Sequence, residues 1–383
     1  MNVAILALAS GLAGRGLEVD LITRASRPPE QISLAEGVTL RTLAAGPLTP
    51  LPKTELAAVA DEFGEAVATL VGRTTPRYDL IHSHYWLSGL ATLPVALELG
   101  LPLVQSFHTL GAMKNRSLAP GDEPEPEVRL RSEAFLCNQA DAIVAGSSAE
   151  VASLIDDLRA PADRLWVIPP GVDVELFTPE RAARSAAVRQ QLRLPPDRQL
   201  LVVAGRIQPL KDQELAIQAF ARLRSAGNLA PLLVIAGRAS DEAYQRRLEA
   251  TALEAGVAAD VRFVGALDRE TLADLFTAAA LTLVPSHSET FGLVALETAA
   301  SGTPVVGFRG TGLVESVSDG ESGILIDSRD PEDWARAIAG LLADQPRLAR
   351  LAVSARGYAE GFTWATAAAS LLAVYESLGR SKR

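Results

Sequence analysis

Two carboxylates, Glu289 and Glu297, stand eight residues apart in SETFGLVALE (288–297), just after the apolar run LTLVPS. The pattern predicts a helix beginning near Phe291 with Thr290 as its cap. Glu289 then sits in the entry loop, and Glu297 follows about two turns in on the same side. Backbone amides at Phe291, Gly292 and Leu293 would favour an anion. Carboxylates beside a phosphate site suit hydroxyl groups of a sugar or ribose, which they can accept hydrogen bonds from. The plainer alternative is a helix-start glutamate favoured by the dipole and a solvated one further on. Gly292 and the small residues at 298–302 argue for a close approach by some other group.

GRIQPLK (205–211) follows another strand-like run. Gly205 permits close backbone approach, and Arg206 and Lys211 supply two cations, about what a diphosphate needs. Two ordinary surface cations are the alternative. Only four lysines occur, at 53, 114, 211 and 382, against 32 arginines. Surface solubility therefore falls to arginine, and each lysine is a candidate for a specific role. HSHYWLSG (82–89) and SFHTL (106–110) place His82, His84 and His108 at the ends of strand-like runs. His82 and His84 point the same way, but no third metal ligand is evident. His108 suits a neutral hydrogen-bond donor near a reacting centre, or else a satisfied buried histidine.

Other chemistries find no support. There is no G-x-x-x-x-G-K-[ST] loop and no Asp-x-Asp pair. GLAGRG (11–16) has the wrong spacing for a dinucleotide fingerprint and reads as a glycine-rich helix end. The lone Cys137 excludes a disulfide framework and multi-cysteine metal sites, and reads as core.

The elements that must carry these residues alternate. Short aliphatic runs at 17–23, 37–44, 78–84, 101–108, 142–147 and 165–172 form one set. A second set lies at 200–207, 231–237, 260–267, 281–286, 303–308 and 323–327. Continuous apolar runs of this length indicate parallel strands buried on both faces. Helical periodicity between them, as at 211–226 and 244–256, indicates right-handed βαβ units. The fold class is therefore α/β, with two Rossmann-like doubly wound domains facing a cleft. The first domain spans 1–175, a linker 176–199 and the second domain 200–357. The C-terminal helix within 358–383 has one apolar face and is expected to cross back to the first domain. The chain opens on a helix, so the usual N-terminal first strand is expected to be missing.

Length and composition agree. At 383 residues, 48% hydrophobic and 21% charged, the chain is globular and too long for one ordinary domain. A net charge of −10 disfavours nucleic acid and anionic membranes as partners. No apolar run reaches the roughly 18 residues of a membrane span. Neither a membrane insertion nor a signal peptide is expected, and the compartment expected is the cytoplasm.

GRIQPLK, SHSETFGLVALE and ASGTPVVGF, in that order, resemble the retaining glycosyltransferases of family 4, which have the GT-B fold. HSHYWLSG, SFHTLGAMKN and PGVDVELFTP narrow the resemblance to the branch that glycosylates inositol phosphate in mycothiol biosynthesis, with sucrose-phosphate-synthase-like enzymes further off. The resemblance covers essentially the whole chain.

It implies a small-molecule reaction without a cofactor or metal, in which a nucleotide sugar, UDP-linked by expectation, is the donor. Arg206 and Lys211 would hold its diphosphate, Glu289 the sugar hydroxyls, Glu297 the ribose, and the backbone near Leu267 the uracil edge. Gly205, Phe291, Gly292 and Leu293 would line that site, and His108 would sit at the transferred sugar. Asn2, Lys53, Tyr85, Thr109 and Arg129 match positions that hold the acceptor. The family precedes its first helix with a strand and a Gly-Gly-Met-Asn loop, whereas this sequence opens at Met-Asn. Transfer would proceed on one face of the sugar, with retention and no protein nucleophile. A sucrose-phosphate-synthase-like acceptor, a nucleotide-sugar epimerase and an inactive binding module remain as alternatives. A homodimer is compatible with this reading.

Overall fold

The computed structural model describes residues 2–75, 77–119, 122–227, 229–310 and 312–380. Lys382 lies outside them. The chain divides into two compact units. The first comprises 1–116, 124–171 and 364–383; the second comprises 117–123 and 172–363.

The first unit opens with helix Asn2–Ala13 and holds two sheets. Strands β1 (Val19–Arg24), β2 (Gln31–Ala35) and β3 (Val38–Leu43) pair in the order β1-β3-β2. Strands β4 (Ile81–His84), β5 (Leu103–Ser106), β6 (Ala142–Ala145) and β7 (Leu165–Val167) form a parallel sheet in that order. Strand β2 has no counterpart among the apolar runs. It runs antiparallel to β3 at the sheet edge and is largely exposed, so it lacks the run that marks its neighbours. The final helix, Trp364–Arg380, belongs to this unit and packs on the opening helix through Ala367, Ala368 and Leu371. Gly11 is the point of closest approach, since a Cβ there would lie 2.7 Å from Ala368 Cβ. Gly11 is thus a packing glycine inside the last turn, while the helix ends at Ala13 within GLAGRG, as expected, with Gly16 at φ +88 closing the turn that follows.

The second unit is a six-stranded parallel sheet. Its strands are β8 (Leu200–Ala204), β9 (Leu232–Ala236), β10 (Val261–Gly265), β11 (Leu281–Val284), β12 (Val305–Phe308) and β13 (Gly323–Ile326). Their order is β10-β9-β8-β11-β12-β13, the doubly wound 3-2-1-4-5-6 arrangement. Strands β8, β9 and β11 are almost wholly buried, as both-face burial by helices requires. The order reverses between β8 and β11. Loops leaving the carboxyl ends of strands on either side of such a reversal part from one another and leave a crevice for a ligand. GRIQPLK leaves β8 and SHSETFG leaves β11, so the topology brings the two motifs together.

Residues 176–199 are not a linker. Pro179–Arg184 forms a 3-10 turn and Ser185–Gln191 a helix, and Arg181 pairs with Asp274 at 2.6 Å on helix Arg269–Ala278. The polar composition that suggests a linker reflects an outer helical layer held by ion pairs.

Candidate active site

In the second unit, Gly205 adopts φ +143 at the end of β8. Gly237, at the end of β9, packs directly on it. A Cβ on Gly237 would fall 1.7 Å from the Gly205 carbonyl oxygen, so the turns can touch only with glycine at 237. Arg206 is exposed. Lys211 closes a 3-10 turn, Pro209–Lys211, and its Nζ lies 2.5 Å from Glu289 Oε1. Ser286 Oγ donates to the same oxygen at 2.7 Å. The residues implied for diphosphate and for sugar hydroxyls therefore pair with each other. Both are mostly buried, and opposite charges at neighbouring strand ends in a weakly screened site attract strongly.

The helix after β11 runs from Leu293 to Ala300, later than expected. Gly292, at φ +96, is its N-cap, and Thr290 is not. Glu297 therefore sits just over one turn in, not two. The close approach inferred at Gly292 is by the chain itself, because a Cβ there would be 2.4 Å from Leu313 Cδ2. Phe291 is buried in the core, and Leu267 packs beside the same cluster from the loop after β10. Glu297 Oε1 accepts from Arg269 Nη1 at 3.2 Å. Burial pushes the Glu297 carboxyl up to about 7; the Asp173 charge adds to this while Arg269 opposes it.

In the first unit, Tyr85 adopts φ +79 at the start of helix Trp86–Leu99, a costly conformation for a bulky residue. Two cations lie over its ring, Lys53 Nζ at 5.2 Å and Arg129 Cζ at 5.1 Å from the centroid. Its hydroxyl is buried without a hydrogen-bond partner among the described residues. Arg129 Nη2 donates to the Thr109 carbonyl at 2.7 Å and to its hydroxyl at 3.1 Å. Arg129 Nε donates to Glu133 Oε1 at 2.6 Å. Its Nη1 is 2.8 Å from Glu125 Oε2, a charge contact whose N–H direction is poorly aligned. Burial raises Glu125, but Lys114 and Arg129 outweigh it and hold the carboxyl at about 2. Four of the five acceptor candidates, Lys53, Tyr85, Thr109 and Arg129, are thus one cluster. Asn2 is exposed as the first residue of the opening helix.

The three histidines are half-buried neighbours, the His84 ring lying 4.2 Å from that of His82 and 5.1 Å from that of His108. His84 Nδ1 lies 2.9 Å from His108 Nε2. His82 is committed elsewhere, to the Tyr375 hydroxyl at 2.6 Å and Ser106 Oγ at 2.9 Å. Burial lowers all three, His82 to about 3 and His108 to about 4. They are neutral at pH 7, and His108, at φ +61, can act only as a neutral group there. Among the described residues no three His, Cys, Asp or Glu side chains are placed to hold a metal ion. Cys137 is fully buried, its thiol pushed up to about 12 by burial.

Comparison with known proteins decides what this arrangement belongs to. The family described as glycosyl transferases group 1 matches residues 185–358, and glycosyltransferase family 4 matches 1–176. A D-inositol 3-phosphate glycosyltransferase of Stackebrandtia nassauensis is 43% identical over 98% of this chain and 86% of its own length. One from Acidothermus cellulolyticus is 41% identical over all of this chain and 86% of its own. The chain belongs to glycosyltransferase family 4, with the GT-B fold. Among solved structures, the sucrose-phosphate synthase of Thermosynechococcus elongatus superposes with a TM-score of 0.88. It is 30% identical and is matched over 99% of this chain and 94% of its own.

Within this glycosyltransferase, residues that motif spacing did not single out support those that it did. Arg269 faces Glu297, and helix entry places it there: Asp268 caps that helix by accepting from Thr271 N at 2.8 Å. Ser286 holds Glu289, while Glu125 and Glu133 hold Arg129. Of these, only Ser286 lay inside a motif, and its partner becomes evident only from the folded chain. No helix of the described residues is long and apolar enough to cross a membrane.

Proposed function

We propose that this glycosyltransferase moves a sugar, with retention, from a UDP-linked donor to a small phosphorylated acceptor such as an inositol phosphate. The observation that carries this reading is the cluster of Lys53, Tyr85, Thr109 and Arg129. The exposed Lys53 lies over an aromatic ring whose buried hydroxyl has no hydrogen-bond partner among the described residues, and Arg129, held by Glu125 and Glu133, fixes that ring from beside it. A cation beside an unpaired hydroxyl suits a phosphate beside a polyol. An epimerase would have no use for it. The donor would be held by the second unit. Arg206 and Lys211 balance the charge that develops on the departing diphosphate, and Glu289 and Glu297 accept from hydroxyls. The anomeric carbon–oxygen bond breaks with its electron pair on the diphosphate. The acceptor oxygen enters on the same face, and its proton passes to the leaving phosphate oxygen. Positioning and electrostatic stabilisation carry the rate.

A second reading, a hexose-phosphate acceptor, is favoured by the likeness to sucrose-phosphate synthase. A screen of UDP-glucose and UDP-N-acetylglucosamine against inositol phosphate and hexose phosphates separates the two. Transfer to neither, with sugar inversion in the absence of any acceptor, sinks both. Activity is expected to survive excess EDTA, because protein cations supply the charge that a metal would. Loss of turnover restored by magnesium or manganese contradicts the mechanism.

Glu297 links donor binding to pH. An ionised Glu297 is a stronger acceptor for ribose hydroxyls than a protonated one, so UDP affinity is expected to rise as pH increases through about 7. Stability of the free protein moves the other way. The folded value lies above the ordinary 4.5, so this group stabilises the fold below pH 4.5 and the contribution fades as pH rises through about 7. Glu297→Gln is expected to flatten both profiles. Calorimetric UDP titration and thermal melts from pH 5 to 9 check this, and an unchanged pH dependence of affinity in the variant would refute it.

A further inference from the structure

Arg329 lies outside every motif above, yet its side chain spans the carboxyl edge of the second unit's six-stranded sheet. It follows β13. Its guanidinium stacks on Phe308 at the end of β12, 4.6 Å from the ring centroid. Nη2 donates to the Pro285 carbonyl after β11 at 2.7 Å, and pairs with Asp212 Oδ2 in the turn that follows β8. Since β8, β11, β12 and β13 are consecutive in the sheet, one side chain links four strand ends.

Its far anchor is in turn constrained. Asp212 is a non-glycine residue at φ +48. Its Oδ1 caps helix Gln213–Ser225 by accepting from Leu215 N at 3.2 Å, and His287 Nε2 lies 3.3 Å from Oδ2. The backbone N–H of His287 donates to the Leu210 carbonyl at 2.9 Å. Asp212 directly follows Lys211, and His287 stands between Ser286 and Glu289. The network therefore fixes both loops whose side chains meet in the Lys211–Glu289 pair.

We propose that Arg329 is a positioning residue for the nucleotide-sugar site, a strut that sets Lys211 and Glu289 at the spacing the donor requires. This rests on the reading of Lys211 and Glu289 as donor ligands. Without Arg329, Asp212 loses its charge partner, its left-handed conformation loses support, and the turn carrying Lys211 drifts. A misplacement of about an ångström in a positioning element can cost a hundredfold in rate.

The test compares Arg329→Met, Arg329→Lys and Lys211→Ala in the full chain, by donor and acceptor KM, calorimetric UDP binding and thermal melts. Arg329→Met is expected to weaken UDP binding and raise donor KM at least tenfold, with acceptor KM within twofold of the parent. Arg329→Lys, which retains the charge but not the fork, recovers part of the loss. Should Arg329→Met fail to fold, Asp212→Asn keeps the helix cap, removes the ion pair, and is expected to show the same donor-specific loss. The strut is overturned if Lys211→Ala impairs UDP binding while Arg329→Met and Asp212→Asn only lower the melting point or change both KM values equally. If Lys211→Ala itself binds UDP normally, the donor-site reading fails first and the strut falls with it.

Discussion

Lys211→Ala is expected to lower kcat/KM for the nucleotide sugar by roughly 10- to 150-fold, the loss of one charge-assisted hydrogen bond of about 1.5–3 kcal/mol. The structure places the effect at the upper end. Lys211 is the ion-pair partner of Glu289, so its removal also leaves a mostly buried carboxylate facing the incoming phosphates. Arg206→Ala is expected at the lower end, because the exposed guanidinium already interacts with water. Steady-state kinetics with varied donor distinguish the two. Wild-type donor kinetics in both variants would remove the second unit's strand-end loops from the donor site.

The largest effect on stability is expected at Arg129. Its side chain is 1% exposed, and Glu133 beneath it is 0% exposed. Burial pushes Glu133 upward while Arg129 pulls it back. Removing one member of a buried pair strands the other, at about 3–5 kcal/mol, against a total stability of about 5–15 kcal/mol. Arg129→Ala is therefore expected to melt the first unit early, and charge reversal to place a third carboxylate against Glu125 and Glu133 and prevent folding. The location of Arg129 in an acidic chain suggests a substitutable acceptor cation; the fold shows an arginine on which the site is built. Thermal melts of Arg129→Ala and Arg129→Lys check this, and a parent-like midpoint for Arg129→Ala would show the buried pair to be dispensable. Lys53, exposed at the edge of the same cluster, is the cleaner acceptor probe. Its alanine variant should raise acceptor KM and leave the melt unchanged.

The two strand sets, their alternation with helices and the motif-bearing loops were legible in the sequence, because continuous apolar runs have few solutions other than a buried parallel sheet. The second unit is the clearest case: each of its six strands coincides with an apolar run, and Gly205, Lys211 and Glu289 lie in loops at strand ends, while Glu297 sits about one turn into the helix after β11. Strand β2 leaves no mark in the sequence because an exposed antiparallel edge carries no such run, and 176–199 share a linker's polar composition because ion-paired outer helices need no apolar stretch. What only the tertiary structure decided was partnership. Residues 78 apart, Lys211 and Glu289, meet because parallel strands order themselves 3-2-1-4-5-6 and bring the ends of β8 and β11 side by side. Tyr85 follows β4, and Thr109 and Arg129 follow β5; they converge because these two strands are parallel neighbours in the four-stranded sheet of the first unit. Sequence spacing reports one face of one element; charge pairing, burial and the resulting proton affinities depend on which elements become neighbours, and that is set by the packing of the whole sheet.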